Sequence, residues 1–252
     1  MLRVLGHAGV VTLLTILTQL GGIAWLLALL LSRLRAGTFL ALFLLIYGGF
    51  WIGARTAASE IGRVAIPCID PGPGHVAALS PVYCAMNRSY VTLETAAVAE
   101  GLAEHMETRF PGTRTRVLDA GFPFLDGFPL LPHLSHDDGR KFDLALWYEG
   151  GGTRSPIGYF AFEQPRAGDP QPCDTVGPLR WNFARLQPHF PAKPLDEART
   201  AEALRWLSGN LPPDGKVFLE PHLVRRLGVE APNVRFQGCR AARHDDHIHV
   251  QI

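Results

Sequence analysis

Two uncharged apolar runs open the chain and predict membrane helices. No charged residue occurs between Val4 and Ser32, and a second uncharged run of 19 residues covers 36–54. A helix that spans a bilayer needs ~20 apolar residues, so both runs qualify, with residues 8–32 and 36–54 in contact with lipid. A cleaved signal peptide is the alternative, but a signal carries a single short apolar region. We therefore expect residues 1–55 to form a transmembrane helical hairpin.

The pattern changes after the second apolar run. Residues 56–74 contain three Pro and three Gly, which is typical of a linker, and residues 75–252 are numerous enough for one folded domain with its own core. Within this domain, amphipathic patterns predict two helices, over 92–110, where apolar residues recur every four positions, and over 195–207. Thr92 can cap the first of these helices.

Short runs rich in β-branched and aromatic residues predict strands around these helices. We expect 142–149 to be a central strand and 158–164 to be its hairpin partner across a Gly-rich turn. Because helices and strands are mixed and several strands are hairpin-linked, the pattern favours an α+β fold with a central antiparallel sheet over a parallel one. The other predicted strands are 113–121, 216–220, 233–238 and 247–252.

The charged residues argue against a nucleic acid partner, and the positions of the N-terminal Arg residues indicate a membrane topology. With 24 Lys and Arg against 23 Asp and Glu, the net charge is +1, so we expect no nucleic acid partner, which normally meets a basic face. Arg33 and Arg35 lie in the short link between the apolar runs, and this link should stay in the cytoplasm. Two crossings then place both termini and the domain outside. Arg3 and Arg55 oppose that orientation.

Cysteine usage agrees with an exported domain. All four Cys lie after the apolar runs, and an even number of Cys in an exported domain indicates disulfides. Four Cys allow three pairings; we favour Cys68 with Cys84 and Cys173 with Cys239, because each bond would pin a terminus or a long loop. Buried free thiols are the alternative.

The C-terminal run combines three His with two Asp within six positions, 244–249. Side chains alternate along a strand, so His247 and His249 share one face while Ile248 and Val250 face a core. Two adjacent imidazoles beside an apolar core need a partner, and a divalent metal such as zinc suits neutral imidazole. A charged surface tail is the simpler alternative.

A second segment supplies the residues that would complete a metal site. His136 lies in a polar turn whose Gly139 can adopt a left-handed backbone, and Asp143 opens the predicted central strand. A buried carboxylate must be paired, protonated or bound to metal. Alone, a His and an Asp seven residues apart form a weak signal. Joined to the His-x-His pair of His247 and His249, they complete a His, Asp, His set with an open fourth position, which is the pattern of catalytic zinc.

These two segments resemble the LAS-type zinc peptidases of bacterial cell-wall metabolism, and among them the penicillin-insensitive murein endopeptidases. That family carries Ser-His, a Gly three residues after the His and an Asp seven residues after it, followed far downstream by His-x-x-His-x-His. The matching positions here are Ser135, His136, Gly139 and Asp143, then His244, His247 and His249.

The resemblance implies a zinc-peptidase-like domain and assigns roles to its residues. Zinc would be bound by His136, Asp143 and His249. His247 would act on the attacking water or stabilise the developing charge, and His244 would line the site.

Asp246 fits two roles. It lies three residues before His249, where related dipeptidases of the same group carry a catalytic Glu, so it could take the proton of the attacking water. It could instead orient a neighbouring imidazole. The sequence therefore leaves the general base open between Asp246 and His247.

Other polar residues near these segments carry a weaker signal. Arg240 and Arg243 flank the His cluster and could pair with a substrate carboxylate, or could be ordinary surface residues. His133 follows a proline and is expected to be a loop residue.

These features predict a membrane-anchored zinc metallopeptidase that hydrolyses peptide bonds in peptidoglycan cross-links or stem peptides. The membrane would be the cytoplasmic one, with the domain on its periplasmic or extracytoplasmic side. The alternative is a non-catalytic domain of the same fold that binds peptidoglycan and holds zinc structurally. Four protein ligands around the ion would favour this alternative, whereas an open fourth position would favour the enzyme.

Overall fold

The computed structural model describes residues 1–32, 36–173 and 183–252. Arg33 and Arg35 of the predicted cytoplasmic link lie outside the described residues. The helices within the described ranges are α1 (Leu2–Thr18), α2 (Gly21–Ser32), α3 (Ala36–Ala57), α4 (Pro81–Ala85), α5 (Leu93–Arg109), α6 (Glu197–Asn210) and α7 (Pro221–Leu227). The strands there are β1 (Arg63–Ala65), β2 (Val76–Ala78), β3 (Tyr90–Thr92), β4 (Thr115–Val117), β5 (Lys141–Ala145), β6 (Lys216–Phe218), β7 (Val234–Arg235) and β8 (His247–Gln251).

The first apolar run forms two helices, not the single one that the sequence pattern predicts. The chain reverses at Gln19, whose φ is 64°, and the Trp25 indole N–H donates to His7 Nδ1 at 3.3 Å. In one continuous helix these residues would lie ~27 Å apart, so α1 and α2 are antiparallel. The reversal needs glycine, because a Cβ on Gly22 would collide with the Thr15 hydroxyl and would lie 2.7 Å from the backbone oxygen of Val11.

The two-helix transmembrane hairpin predicted for residues 1–55 is therefore not confirmed. Among the described residues, one helical span, Gly37–Ile61, has the length and apolar composition to cross a membrane. The α1 and α2 helices are apolar but shorter than that. The Gly21–Gly22 pair beside Gln19 was the available signal for this break, since glycine is a poor helix former.

The helices of the N-terminal segment dock directly on the folded domain. The Gln19 amide donates to the backbone oxygen of Phe124 at 2.6 Å and accepts from its N–H at 3.0 Å. In the second half of α3, the Tyr47 hydroxyl donates to the Ala85 oxygen at 2.6 Å. The C-terminal end of α1 and the second half of α3 thus both contact the domain, so these two helices run in the same direction.

The segment 56–74 carries structure of its own and is held to the domain. Its β1 pairs antiparallel with β3, and Cys68 forms a disulfide with Cys84. A second disulfide joins Cys173 to Cys239. Both favoured pairings are therefore confirmed, and the first of them holds this Pro- and Gly-rich segment against the domain.

A sheet with the strand order β2-β4-β5-β8-β6-β7 forms the centre of the domain. Its four central strands are antiparallel neighbours, while the pairs at both edges, β2–β4 and β6–β7, are parallel. The predicted helices are confirmed as α5 and α6, and Thr92 caps α5 by accepting the Thr95 N–H at 3.2 Å. Both helices pack on one face of the sheet. The fold is therefore mixed α+β, as the pattern predicts.

The predicted hairpin of 142–149 with 158–164 is wrong. The neighbours of β5 are β4 and β8, so both of its edges are occupied. Residues 158–164, all of them described, form no strand. Two of their backbone N–H groups bond to side chains instead: that of Phe160 donates to Asp246 at 2.5 Å, and that of Phe162 donates to Gln187 at 2.8 Å.

Candidate metal centre

The register of β5 against β8 places the predicted ligands on one face of the sheet. Asp143 lies directly opposite His249, and Ala145 lies opposite His247. Because side chains alternate along both strands, all four residues point away from the helices. The alternate positions are fully buried in the core beneath α5 and α6, namely Phe142, Leu144, Ile248 and Val250.

His136 reaches the same place from the turn before β5. Its Nδ1 lies 2.9 Å from the backbone oxygen of Ala120, and since a carbonyl only accepts, Nδ1 carries the proton. The lone pair of Nε2 is therefore free to face Asp143 and His249. Gly139 permits this turn with a φ of 69°, and a side chain there would collide with the Arg63 guanidinium.

Three ligand atoms form a compact triangle. His136 Nε2 lies 3.1 Å from His249 Nδ1 and 3.4 Å from Asp143 Oδ1. The distance from His249 Nδ1 to Asp143 Oδ1 is 2.9 Å. The three residues are 1%, 3% and 0% exposed, in the order His136, His249, Asp143.

This triangle fits a metal ion. A tetrahedral ion at ~2.0–2.1 Å from its ligands would hold them about 3.3 Å apart, close to the observed sides. Within the described part of the chain, the buried Nε2 of His249 has no hydrogen-bond partner, which costs free energy that a metal bond at Nδ1 would offset. His136, Asp143 and His249 could therefore hold a metal ion.

Asp143 is held by a partner that the sequence did not indicate. The Tyr159 hydroxyl donates to Asp143 Oδ2 at 2.6 Å, which leaves Oδ1 in the triangle. Tyr159 comes from 158–164, the segment predicted as a strand. No spacing signal marks it, because its contact depends on how that irregular segment folds over the sheet.

His133 also lies beside the triangle. Its Nδ1 is 2.9 Å from Asp119 Oδ2 and 3.5 Å from Asp143 Oδ2. Asp119 is in turn held by Arg88, through Nε at 2.6 Å and a second nitrogen at 2.7 Å. The predicted loop position of His133 is confirmed, but its proximity to the triangle was not predicted. Its spacing of three from His136 was the available signal.

The remaining predicted site residues surround the triangle. Asp246 Oδ1 lies 2.5 Å from His247 Nδ1, and its Oδ2 accepts the Phe160 N–H. His247 Nε2 therefore faces the ligands, 3.7 Å from Asp143 Oδ1. The ring centre of His244 lies 5.0 Å from that of His247. The fold thus brings all six residues together.

In the metal-free protein, burial and neighbouring charges set the protonation states of Asp143, His247 and His249. Burial opposes ionisation of Asp143, but His136 and His247 hold its pKa well below the ordinary value. Burial disfavours protonated His247, yet Asp143 and Asp246 raise its pKa to about 9. Burial lowers the pKa of His249 to about 4. At neutral pH, Asp143 is thus an anion and His249 is neutral, as metal ligands must be.

A cleft of 210 Å³ opens beside the triangle. It is bounded by His133, Asp246 and His247 on the side of the metal centre. A larger cavity of 920 Å³ elsewhere in the domain contains none of the six predicted site residues. Chemistry, not size, therefore identifies the smaller cleft as the candidate substrate site. Its other walls are Pro132, Tyr159, Phe160, Phe162, Phe183, Arg240, Ala241, Ala242 and Arg243.

The chain matches no family model and no curated protein. The resemblance to the murein endopeptidases therefore rests on the motif residues alone.

Proposed function

We propose that this protein is a metal-dependent peptidase, with zinc as the ion, that hydrolyses peptide bonds in peptidoglycan. The observation that carries the proposal is the buried triangle of His136, Asp143 and His249, next to an Asp-oriented imidazole at an open cleft. An ion held by the triangle would polarise an amide carbonyl and acidify a water.

His247 is the residue best placed to move a proton. Its Nδ1 is engaged by Asp246, so Nε2, which faces the triangle, is the atom that gives or accepts a proton. Both carboxylate oxygens of Asp246 are already paired, with His247 and with the backbone of Phe160. We therefore assign proton transfer to His247 and the orientation of its ring to Asp246.

A non-catalytic metal domain is the second candidate, because a fourth protein ligand is close by. His247 Nε2 lies only 3.7 Å from Asp143 Oδ1, so a small shift could close the fourth position. The two candidates differ in one variant. If His247 is catalytic, His247→Ala keeps the metal and loses hydrolysis; if it is a ligand, the variant loses metal as well.

We place the domain on the extracytoplasmic side of the cytoplasmic membrane. The α1 and α3 helices both run towards the domain, so Met1 and the beginning of α3 point away from it. Arg3 lies near the first of these ends, and Arg33 and Arg35 precede the second in sequence. Three of the four Arg therefore favour a cytoplasmic position for the helix ends that point away from the domain. Arg55 alone opposes this orientation. Two disulfides suit an oxidising compartment.

The test uses the full chain purified in detergent. We expect about one zinc per chain by elemental analysis, and release of soluble peptides or amino acids from purified murein. His249→Ala should lose both metal and activity, whereas the exposed Arg235→Gln should lose neither. Retention of metal in a His136→Ala, His249→Ala double variant would contradict the site, and inactivity of the zinc-loaded parent on murein would contradict the substrate.

A further inference from the structure

The cleft beside the metal centre contains two arginines in different electrostatic situations. Arg243 is committed within the protein: its Nε donates to Asp245 at 2.9 Å, and its guanidinium stacks 4.1 Å from the ring centre of Phe162. Arg240 is exposed, and in the described ranges it makes no ion pair or side-chain hydrogen bond. Arg240 is therefore the cation of this cleft that remains available to a ligand.

The other walls of the cleft select for a small apolar group. Phe160, Phe162 and Phe183 line it together with two alanines. The acid of the lining, Asp246, is already paired with His247 and the backbone. At 210 Å³, the cleft is smaller than the ~300–1,000 Å³ of sites for drug-sized molecules. Its occupant should carry one negative charge on a small apolar body.

We propose that this cleft binds the carboxyl-terminal residue of the substrate, with Arg240 pairing the free α-carboxylate. The proposal rests on the proposed function and refines its substrate class. The hydrolysed bond is then the last amide of the peptide: water adds to its carbonyl carbon, the C–N bond breaks, and the terminal amino acid leaves with a proton on its nitrogen. The protein acts as a carboxypeptidase on stem peptides, not on the internal amides of cross-links.

The position of Arg240 supports this assignment. His247 and Arg240 belong to the same cleft, so a short terminal residue can contact both. The preceding residue, Cys239, is bonded to Cys173, which ties down the wall that carries Arg240. A restrained backbone at this wall loses less freedom when Arg240 pairs with a carboxylate than a free loop would. An internal amide would place a neutral group opposite this cation and gain nothing from it.

The first test measures binding without catalysis. The metal-free full chain in detergent is titrated with acetyl-D-Ala-D-Ala and with its C-terminal amide, by ligand-observed NMR. We expect the acid to bind about tenfold more tightly, since a carboxylate–guanidinium bond is charge-assisted. Arg240→Gln should remove the preference, and Arg240→Lys should keep part of it. Arg235→Gln, an exposed charge change outside the cleft lining, should leave it unchanged.

The second test repeats the comparison with the zinc-loaded protein as an enzyme. The acid should be cleaved with a lower KM than the amide, and Arg240→Gln should abolish this difference while kcat changes little. Equal binding of acid and amide by the parent, or an acid preference that survives Arg240→Gln, would overturn the proposal. Acid-selective binding without hydrolysis of either peptide would instead overturn the proposed function and leave the carboxylate site standing.

Discussion

Tyr159→Phe should weaken metal binding, because it removes one hydrogen bond from the metal centre with almost no change in shape. The Tyr159 hydroxyl donates to Asp143 Oδ2 at 2.6 Å and accepts the Asp119 N–H at 3.2 Å. Burial, followed by the charges of Asp143 and Asp119, raises the pKa of Tyr159 well above its usual value. The hydroxyl therefore stays protonated at neutral pH and donates to Asp143.

The size of the effect follows from the charge of the acceptor. A hydrogen bond to a charged group contributes about 1.5–3 kcal/mol, and loss of a residue that orients a metal ligand lowers metal affinity about 10- to 100-fold. These ranges agree, since a tenfold change corresponds to about 1.4 kcal/mol. We expect a loss of 10- to 100-fold in affinity, because among the described residues the nearest polar partner left to Asp143 Oδ2 would be His133, at 3.5 Å.

Tyr83→Phe is the matched control. Tyr83 is also buried, and its ring centre lies 6.4 Å from that of Tyr159, but its hydroxyl donates to the backbone oxygen of Ile157. It should cost about 0.5–1.5 kcal/mol of stability and leave metal affinity unchanged. Affinity is measured by competition with a chromophoric chelator, and stability by urea unfolding. Unchanged affinity in Tyr159→Phe, or an equal loss in Tyr83→Phe, would refute this reasoning.

Three further predictions concern the surroundings of the site. Arg88→Met should destabilise the protein by about 3–5 kcal/mol in urea unfolding, because it leaves the buried Asp119 carboxylate without its cation; Arg88→Lys should cost less. Gln19→Ala should speed proteolysis between the N-terminal helices and the domain, since both of its bonds to Phe124 are lost; an unchanged cleavage rate would contradict docking. The pKa of His247 is raised from 6.5 to about 9 despite burial, so the metal-free protein should lose stability as pH rises through this window. His247→Gln should abolish that pH dependence, and a parent whose unfolding free energy is flat from pH 6.5 to 9 would contradict it.

Local sequence patterns were sufficient to predict several structural features of this protein. The four-residue recurrence at 92–110 predicted α5, and strand alternation placed His247 and His249 on one face. Both follow from the helix and strand periods, which depend only on near neighbours. The even Cys count, together with what each bond would pin, also led to the observed pairing of Cys68 with Cys84 and of Cys173 with Cys239.

Other features depended on contacts between distant parts of the chain. The pattern of 158–164 suits a strand, but β4 and β8 already occupy both edges of β5, and the segment covers the metal centre instead. The apolar run before Ser32 suits one helix, yet it folds back at Gln19, whose side chain bonds to the distant Phe124. In the first case a local preference was overridden by strand pairing that the local sequence does not contain. In the second, the Gly21–Gly22 pair permits the break, while the contact with Phe124 is a long-range one.

The candidate metal centre also combines features that the local sequence predicts with features that depend on distant contacts. Residue types and motif spacing identified His136, Asp143 and His249, because ligand chemistry is a property of each side chain. Their triangle exists only because the sheet register sets Asp143 against His249, a pair separated by 106 positions. Tyr159 and the Arg88–Asp119 pair that support the centre reach it through the same long-range packing. Side-chain chemistry could therefore be predicted from the sequence, whereas the placement of the supporting groups was decided by the tertiary structure, since it depends on which distant segments share one buried volume.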